Sequence, residues 1–214
     1  MKPLTQRDKH FPQLRDDLVW ANFLTPAANE NEPAVFFDRD GVLIEDRNYL
    51  SSPNDVTLIN GAAESIKRAS ERGYVTVIVT NQSGIARGLF QWCDHKAVED
   101  RMLTLLTAQG ARVNLILACG HHPEGFPPYG TDHPWRKPNP GMILEAKKLL
   151  KLDVRRSVLV GDKVSDIAAA RAAGLERAFL TLTGQGRKEA AEAVCLQSSD
   201  FFVSVIPSVD DFLR

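Results

Sequence analysis

The chain has 214 residues, 43% hydrophobic and 25% charged, with a formal net charge of -1, a composition far from that of disordered, fibrous or polyanion-binding proteins. Its apolar runs fall short of the roughly 20 residues that cross a bilayer, and its start is polar rather than signal-like, so a cytosolic protein without a membrane partner is expected. Cys93, Cys119 and Cys195 are scattered and odd in number, which fits reduced thiols rather than a disulfide framework.

Residues 1–33 combine scattered charges and prolines with one apolar patch, Leu18, Val19, Trp20, Phe23 and Leu24, whose spacing suits an amphipathic turn or helix. They are expected to form an arm packed on a single domain spanning 34–214, a partner-binding segment being the alternative. The domain opens on Val35, Phe36 and Phe37, a β-branched and aromatic run followed at once by Asp38, Arg39, Asp40 and Gly41. That pattern predicts a buried strand whose carboxyl end becomes a loop with two carboxylates, at the edge where open α/β sheets bind ligands. A carboxylate attacking phosphorus leaves an oxygen that needs a proton, so Asp38 suits the nucleophile and Asp40 the acid/base.

Residues 43–58 are irregular and polar, and read as a flap in which Asp46, Arg47, Asn48 and Tyr49 face substrate. Ala62, Ala63, Ile66 and Ala69 recur at helical spacing before Gly73. Residues 74–79 form the next buried strand, ending in Thr80, Asn81, Gln82, Ser83 and Gly84, whose hydroxyl, amide and backbone N–H groups suit phosphoryl oxygens. A helix over 94–108 and a strand over 112–118 follow. Residues 119–140 form a long loop in which Arg136 and Lys137 precede a helix over 142–150. A strand over 157–160 turns through Gly161, Asp162, Lys163 and Asp166 into an alanine-rich helix. Strands over 178–182 and 201–205 flank a helix over 187–194. Alternating strands and helices imply a doubly wound, Rossmann-like parallel sheet with helices on both faces.

Strand ends thus bring Asp38, Asp40, Thr80, Lys137 and Asp162 toward one edge. Carboxylates such as Asp38 and Asp162 suit Mg²⁺, with Lys137 adding positive charge and Thr80 a donor.

This order of motifs resembles the haloacid dehalogenase superfamily of phosphohydrolases over residues 34–182. The resemblance implies a Rossmann-like domain with a small or absent cap. It also implies Asp38 as nucleophile and Mg²⁺ ligand, Asp40 as general acid/base with its backbone carbonyl on the metal, Asp162 as the remaining side-chain ligand, and Asp166 as a support of the metal shell. Thr80 and Lys137 match the phosphate-binding positions. Asp38-Arg39-Asp40-Gly41, the run from Thr80 to Gly88, Arg136-Lys137-Pro138 and Gly161-Asp162-Lys163 are similar to the D-glycero-D-manno-heptose bisphosphate phosphatases and the related histidinol phosphatases. That likeness implies substrate contacts from Asp46, Arg47, Asn48, Tyr49, Thr80, Asn81, Gln82, Ser83, Arg136 and Lys137, with Arg136 suited to a second phosphate.

The subfamily's loop usually holds zinc through Cys-x-His and Cys-x-Cys, whereas this chain has Cys119-Gly120-His121 and then His133-Pro134-Trp135. Either Cys119, His121 and His133 bind Zn²⁺ with His122 or Asp132 as a fourth ligand, or Trp135, Phe126 and the prolines hold the loop. The expected partner is a small phosphate ester and the expected state a monomer. A polynucleotide 3′-phosphatase, disfavoured by the charge balance, and a non-catalytic phosphate-binding module are the competing readings.

Overall fold

The computed structural model describes residues 11–214, so the first ten residues of the expected arm lie outside the described residues. In chain order the elements are β1 (Val19–Phe23), β2 (Ala34–Phe37), α1 (Ala62–Glu71), β3 (Val75–Asn81), the one-turn α2 (Ser83–Ala86), α3 (Trp92–Ala108), β4 (Leu115–Cys119), α4 (Gly141–Leu150), β5 (Val158–Gly161), α5 (Val164–Ala172), β6 (Arg177–Thr181), α6 (Gly186–Val194) and β7 (Phe202–Ile206). They build one seven-stranded sheet in the order β1-β4-β3-β2-β5-β6-β7. Every neighbouring pair is parallel except β1 with β4.

The sheet is doubly wound because its central strands are apolar on both sides. Along β2, Phe36 packs with Met142 and Ile143 of α4 and Ile167 of α5, while Val35 and Phe37 pack with Ile66 of α1 and Met102 of α3 on the other face. Successive side chains of a strand point to opposite faces, so a run without polar alternation needs helices on both. α3 starts two residues before the periodicity predicts. Its first turn is capped by Asp94, whose carboxylate accepts the Gln91 N–H at 2.9 Å.

One expectation is corrected at the sheet edge. The patch from Leu18 to Leu24 is not a helical turn: Val19–Phe23 is extended and pairs antiparallel with Cys119–Leu115. Spacing within so short a patch does not separate helix from strand, and here the unpaired edge of β4 decides. An antiparallel strand there satisfies a row of N–H and C=O groups that would otherwise face solvent. Val19 and Trp20 are fully buried as a result.

β2 is the point at which the winding reverses. β3 and β4 lie to one side and β5, β6 and β7 to the other, which opens a crevice beyond the carboxyl end of β2. Residues 38–61 fold over that end as a flap pinned by bridges between Asp40 and Ile44 and between Ile44 and Leu58. No helix among the described residues is long and apolar enough to cross a membrane.

Candidate active site

Asp38 leaves the carboxyl end of β2 with its N–H donated to the Val160 carbonyl at 2.9 Å, and is almost entirely buried. Lys137 reaches it from the loop before α4. The Lys137 ammonium donates to Asp38 Oδ1 and to the Val79 carbonyl, both at 2.8 Å, and pairs with Asp166 Oδ1 at 2.5 Å. Its backbone is fixed by Asn81 at the end of β3. The Asn81 amide donates to the Lys137 carbonyl at 2.9 Å and its oxygen accepts the Lys137 N–H at 3.0 Å.

Asp162, at the end of β5, and Asp166, in the first turn of α5, complete the cluster. Asp38, Asp162 and Asp166 place carboxylate oxygens within 4.8 Å of one another, all buried, and form the only such ligand group among the described residues. The backbone closes tightly around them. Gly41 has φ +84°, and a Cβ there would lie 2.3 Å from Asp162 Oδ2. The same oxygen accepts the Gln185 N–H at 2.8 Å, whereas the buried Asp162 Oδ1 has no hydrogen-bond partner.

The electrostatics follow from crowding three carboxylates against two cations. Burial opposes ionisation of Asp38, yet Lys137 and Lys163 outweigh it and hold the carboxyl below its ordinary value. Burial also disfavours the charged form of Lys137, but Asp166 and Asp38 overcome it and raise the ammonium above the usual lysine range. Lys163 is raised in the same way, by Asp38 and Asp162 against the effect of burial. Asp162 is the unbalanced member: burial, then the charge of Asp38, push it up to about 8. Burial raises Asp166 as well, against the pull of Lys137. A group of buried oxygens with an orphaned Oδ1 and excess negative charge fits a hard divalent cation that takes a few carboxylates and fills its remaining positions with water and phosphate.

Beside this cluster, a small polar pocket of about 30 Å³ is lined by Asp38, Asp40, Thr80, Asn81, Lys137, Lys163, Ser165 and Asp166. Thr80 Oγ1 accepts from the Gln82 amide at 2.8 Å, which leaves its hydroxyl proton to donate. Asp40 also borders a larger cavity of about 280 Å³, with Asp46, Asn48 and Tyr49 of the flap on one side and Asn81, Gln82 and Ser83 on the other. The Asp40 carboxylate is held by Arg39 at 2.9 Å and by the Gln82 amide at 2.9 Å. Its side chain is outside the ligand cluster.

Thr80 and Lys137 line only the small pocket, and two expected substrate contacts reach neither it nor the cavity. Arg47 pairs instead with Glu45 at 2.7 Å, on the solvent side of the flap. Arg136 is half-buried but donates to the His121 carbonyl at 3.2 Å and is absent from the cavity lining. In exchange, Lys163, Phe90 and Gln185 line the cavity. Lys163 sits in the Gly161-Asp162-Lys163 motif and was legible there. Phe90 and Gln185 carry no local sequence signal.

Cys119, His121 and His133 do not converge as a metal group among the described residues. Burial pushes the Cys119 thiol up to about 11. His121 contacts the Thr131 hydroxyl and the Asp17 carbonyl through its two nitrogens, and His133 Nδ1 accepts the Trp135 N–H. Within the loop Trp135 and Tyr129 are buried and the rings of His121 and His133 are stacked 4.5 Å apart. Phe126, expected to help, is exposed.

Comparison with known proteins agrees with this geometry. The family model Hydrolase_like, HAD-hydrolase-like, matches residues 134–210. A D-glycero-beta-D-manno-heptose-1,7-bisphosphate 7-phosphatase from Mesorhizobium japonicum is 47% identical over 149 residues, 69% of either chain. The crystal structure of a HAD-like protein from Mesorhizobium loti superposes with a TM-score of 0.84 at 37% identity, covering 94% of both chains. That of the D,D-heptose 1,7-bisphosphate phosphatase from B. bronchiseptica, complexed with magnesium and phosphate, gives 0.73 at 31% identity over 83% of this chain and 94% of that one. With that identity over more than two thirds of each chain and the shared fold, the chain belongs to the haloacid-dehalogenase-like (HAD) phosphatases.

Proposed function

We propose that the protein is a Mg²⁺-dependent phosphomonoester hydrolase that removes the 7-phosphate of a D-glycero-D-manno-heptose 1,7-bisphosphate, through an aspartyl-phosphate formed on Asp38. The observation that carries this reading is the position of Asp38. It stands buried beside Lys137, Asp162 and Asp166, with its carboxyl held below the ordinary value, and lines a polar pocket of about 30 Å³.

In the first step an Asp38 oxygen bonds to phosphorus as the bond to the sugar oxygen breaks, and Asp40 gives that oxygen its proton. In the second step water attacks the acyl phosphate, Asp40 takes the water's proton, and Asp38 leaves as carboxylate with inorganic phosphate. Lys137 and the Thr80 hydroxyl hold the phosphoryl oxygens throughout, and Lys163 adds charge from the cavity side. Asp38, Asp162 and the Asp40 carbonyl, supported by Asp166, would hold Mg²⁺, which would supply positive charge that offsets repulsion between Asp38 and the phosphate dianion. The cavity under Asn48 and Tyr49 takes the sugar. We read the chain as a cytosolic monomer in which residues 34–214 do this work and the preceding arm packs on them.

The test is phosphate release with Mg²⁺ from both anomers of the heptose 1,7-bisphosphate, histidinol phosphate, small sugar phosphates and a 3′-phosphorylated oligonucleotide, with Asp38→Asn as the blank. Preferred turnover of the heptose ester that vanishes in Asp38→Asn is expected. Release that survives in the variant refutes the mechanism, and a preference for another ester refutes the substrate.

A further inference from the structure

From Asp40 a line of buried polar side chains runs away from the cavity to the far edge of the sheet. Arg39 is 1% exposed and holds Asp40 through Nε and Nη2, shares Nη2 with Gln82 Oε1 at 3.0 Å, and directs Nη1 at His95 Nδ1, 3.3 Å away. His95 Nε2 faces Glu99 Oε2 at 3.6 Å, one helical turn further along α3. The fully buried Glu99 accepts from Trp20 Nε1 at 3.1 Å and from Asn22 Nδ2 at 2.6 Å, both on β1. Trp20 and Trp92 meet the imidazole at ring centroids of 5.3 Å, close to perpendicular, so its plane is set by packing as well.

The order of donors and acceptors along this line is determined. A guanidinium only donates, so His95 Nδ1 must accept and the ring must carry its proton on Nε2. Nε2–H then faces Glu99 Oε2 at 3.6 Å, beyond hydrogen-bond length, and has no hydrogen-bond partner. Burial, ahead of the opposing pull of Glu99, keeps His95 below its ordinary value and therefore neutral. A buried guanidinium swings to whichever acceptors it finds, and an acceptor on the far side of Asp40 fixes its plane.

We propose that His95 and Glu99 are positioning residues for the reaction: Glu99 selects the Nε2–H tautomer of His95, whose Nδ1 orients Arg39, and Arg39 aims the Asp40 carboxylate at the leaving oxygen. The inference rests on the phosphatase reading above and adds that β1, through Trp20 and Asn22, supports the acid/base. His95 touches neither substrate nor the reacting atoms. It acts only through Asp40, so its loss matters where proton delivery matters.

The experiment compares the heptose bisphosphate, whose leaving alkoxide needs a proton, with p-nitrophenyl phosphate, whose leaving phenolate does not. His95→Leu is expected to lower the single-turnover rate at which the sugar ester phosphorylates Asp38 by about tenfold or more, a fraction of the 10²–10⁴ that a general acid supplies, and to leave substrate affinity and the same step from the aryl ester within about threefold. Hydrolysis of the shared intermediate, which uses Asp40 as base, slows alike for both. His95→Asn, which returns an acceptor oxygen near the Nδ1 position, restores most of the loss. The ¹⁵N spectrum of the wild-type imidazole reads the tautomer without any variant, and a protonated Nε2 with a bare Nδ1 is expected. An equal fall in the phosphorylation step on both esters, no fall in it on either, or an Nδ1–H tautomer overturns the inference alone. Failure of the wild type to hydrolyse either ester overturns the phosphatase reading with it.

Discussion

Replacing Lys137 with Met removes the one ammonium that contacts both Asp38 and Asp166 while keeping most of the side chain's volume. The three acceptors it serves, Asp38, Asp166 and the Val79 carbonyl, are all interior, so water does not replace it. Breaking a buried pair by deleting one partner costs about 3–5 kcal/mol. For a domain of this size that is a fall in Tm of about 6–20 °C. The sign of its pH dependence follows from the shifts. In the wild type the raised Lys137 contributes fully at every pH below its ordinary value and is lost only as pH rises through its higher folded value. In the variant, Asp38 loses its main counter-charge and keeps chiefly Lys163 against burial, which raises it. A carboxyl raised on folding costs stability once pH exceeds its unfolded value, so the penalty is small near pH 5 and large near pH 8. Urea unfolding of wild type and Lys137→Met at both pH values, without and with Mg²⁺, measures this. Added Mg²⁺ should recover part of the loss at pH 8, since it restores positive charge among the same oxygens. Turnover should fall by about 10²–10³, as when one preorganised donor is removed. A loss of stability equal at pH 5 and pH 8 would refute the electrostatic account and reduce Lys137 to a packing residue.

Asp162, pushed up to about 8, must give up its proton before it can ligate, so Mg²⁺ binding should release close to one proton at pH 6.5 and strengthen toward pH 9. Calorimetry in two buffers of different ionisation enthalpy reads the proton directly, and a pH-independent affinity would contradict it. Gly41→Ala combines a positive φ with a Cβ placed 2.3 Å from the Asp162 carboxylate and 3.1 Å from Gly184. It should cost about 1–3 kcal/mol in strain and weaken Mg²⁺ binding by displacing Asp162, both visible in thermal unfolding with and without metal. An unshifted midpoint would refute the close packing.

The parts of the fold read from the sequence are those with both a composition and a boundary. Val35 to Phe37 and Tyr74 to Val79 are β-branched or aromatic runs that give way to polar residues, Asp38 in one and Thr80 with Asn81 in the other, so strand and strand end were visible together. β1 was not, because five residues of mixed size next to a proline-containing segment have no period, and only the unpaired edge of β4 makes them a strand. In the site, Asp38, Thr80, Lys137 and Asp162 were legible because each lies at a strand end or just before a helix, where backbone geometry fixes direction. Arg47 and Arg136 lie off the cavity lining because a long flexible side chain is aimed by its neighbours, Glu45 and the His121 carbonyl, which spacing does not reveal. The contact between Arg39 and His95 joins residues 56 apart. It follows from α3 lying across the end of β2, and no local pattern announces it.

The two hydrogen bonds between the Asn81 side chain and the backbone of Lys137 make one amide stand in for a neighbouring strand. They anchor the last residues of the 120–140 loop to β3 independently of whatever holds the rest of that loop together. The consequence is a form of insulation: the contacts inside the loop, its stacked histidines and buried tryptophan among them, can change without transmitting the change to the lysine beside Asp38. The chemistry and the loop that borders it are thereby free to diverge at different rates.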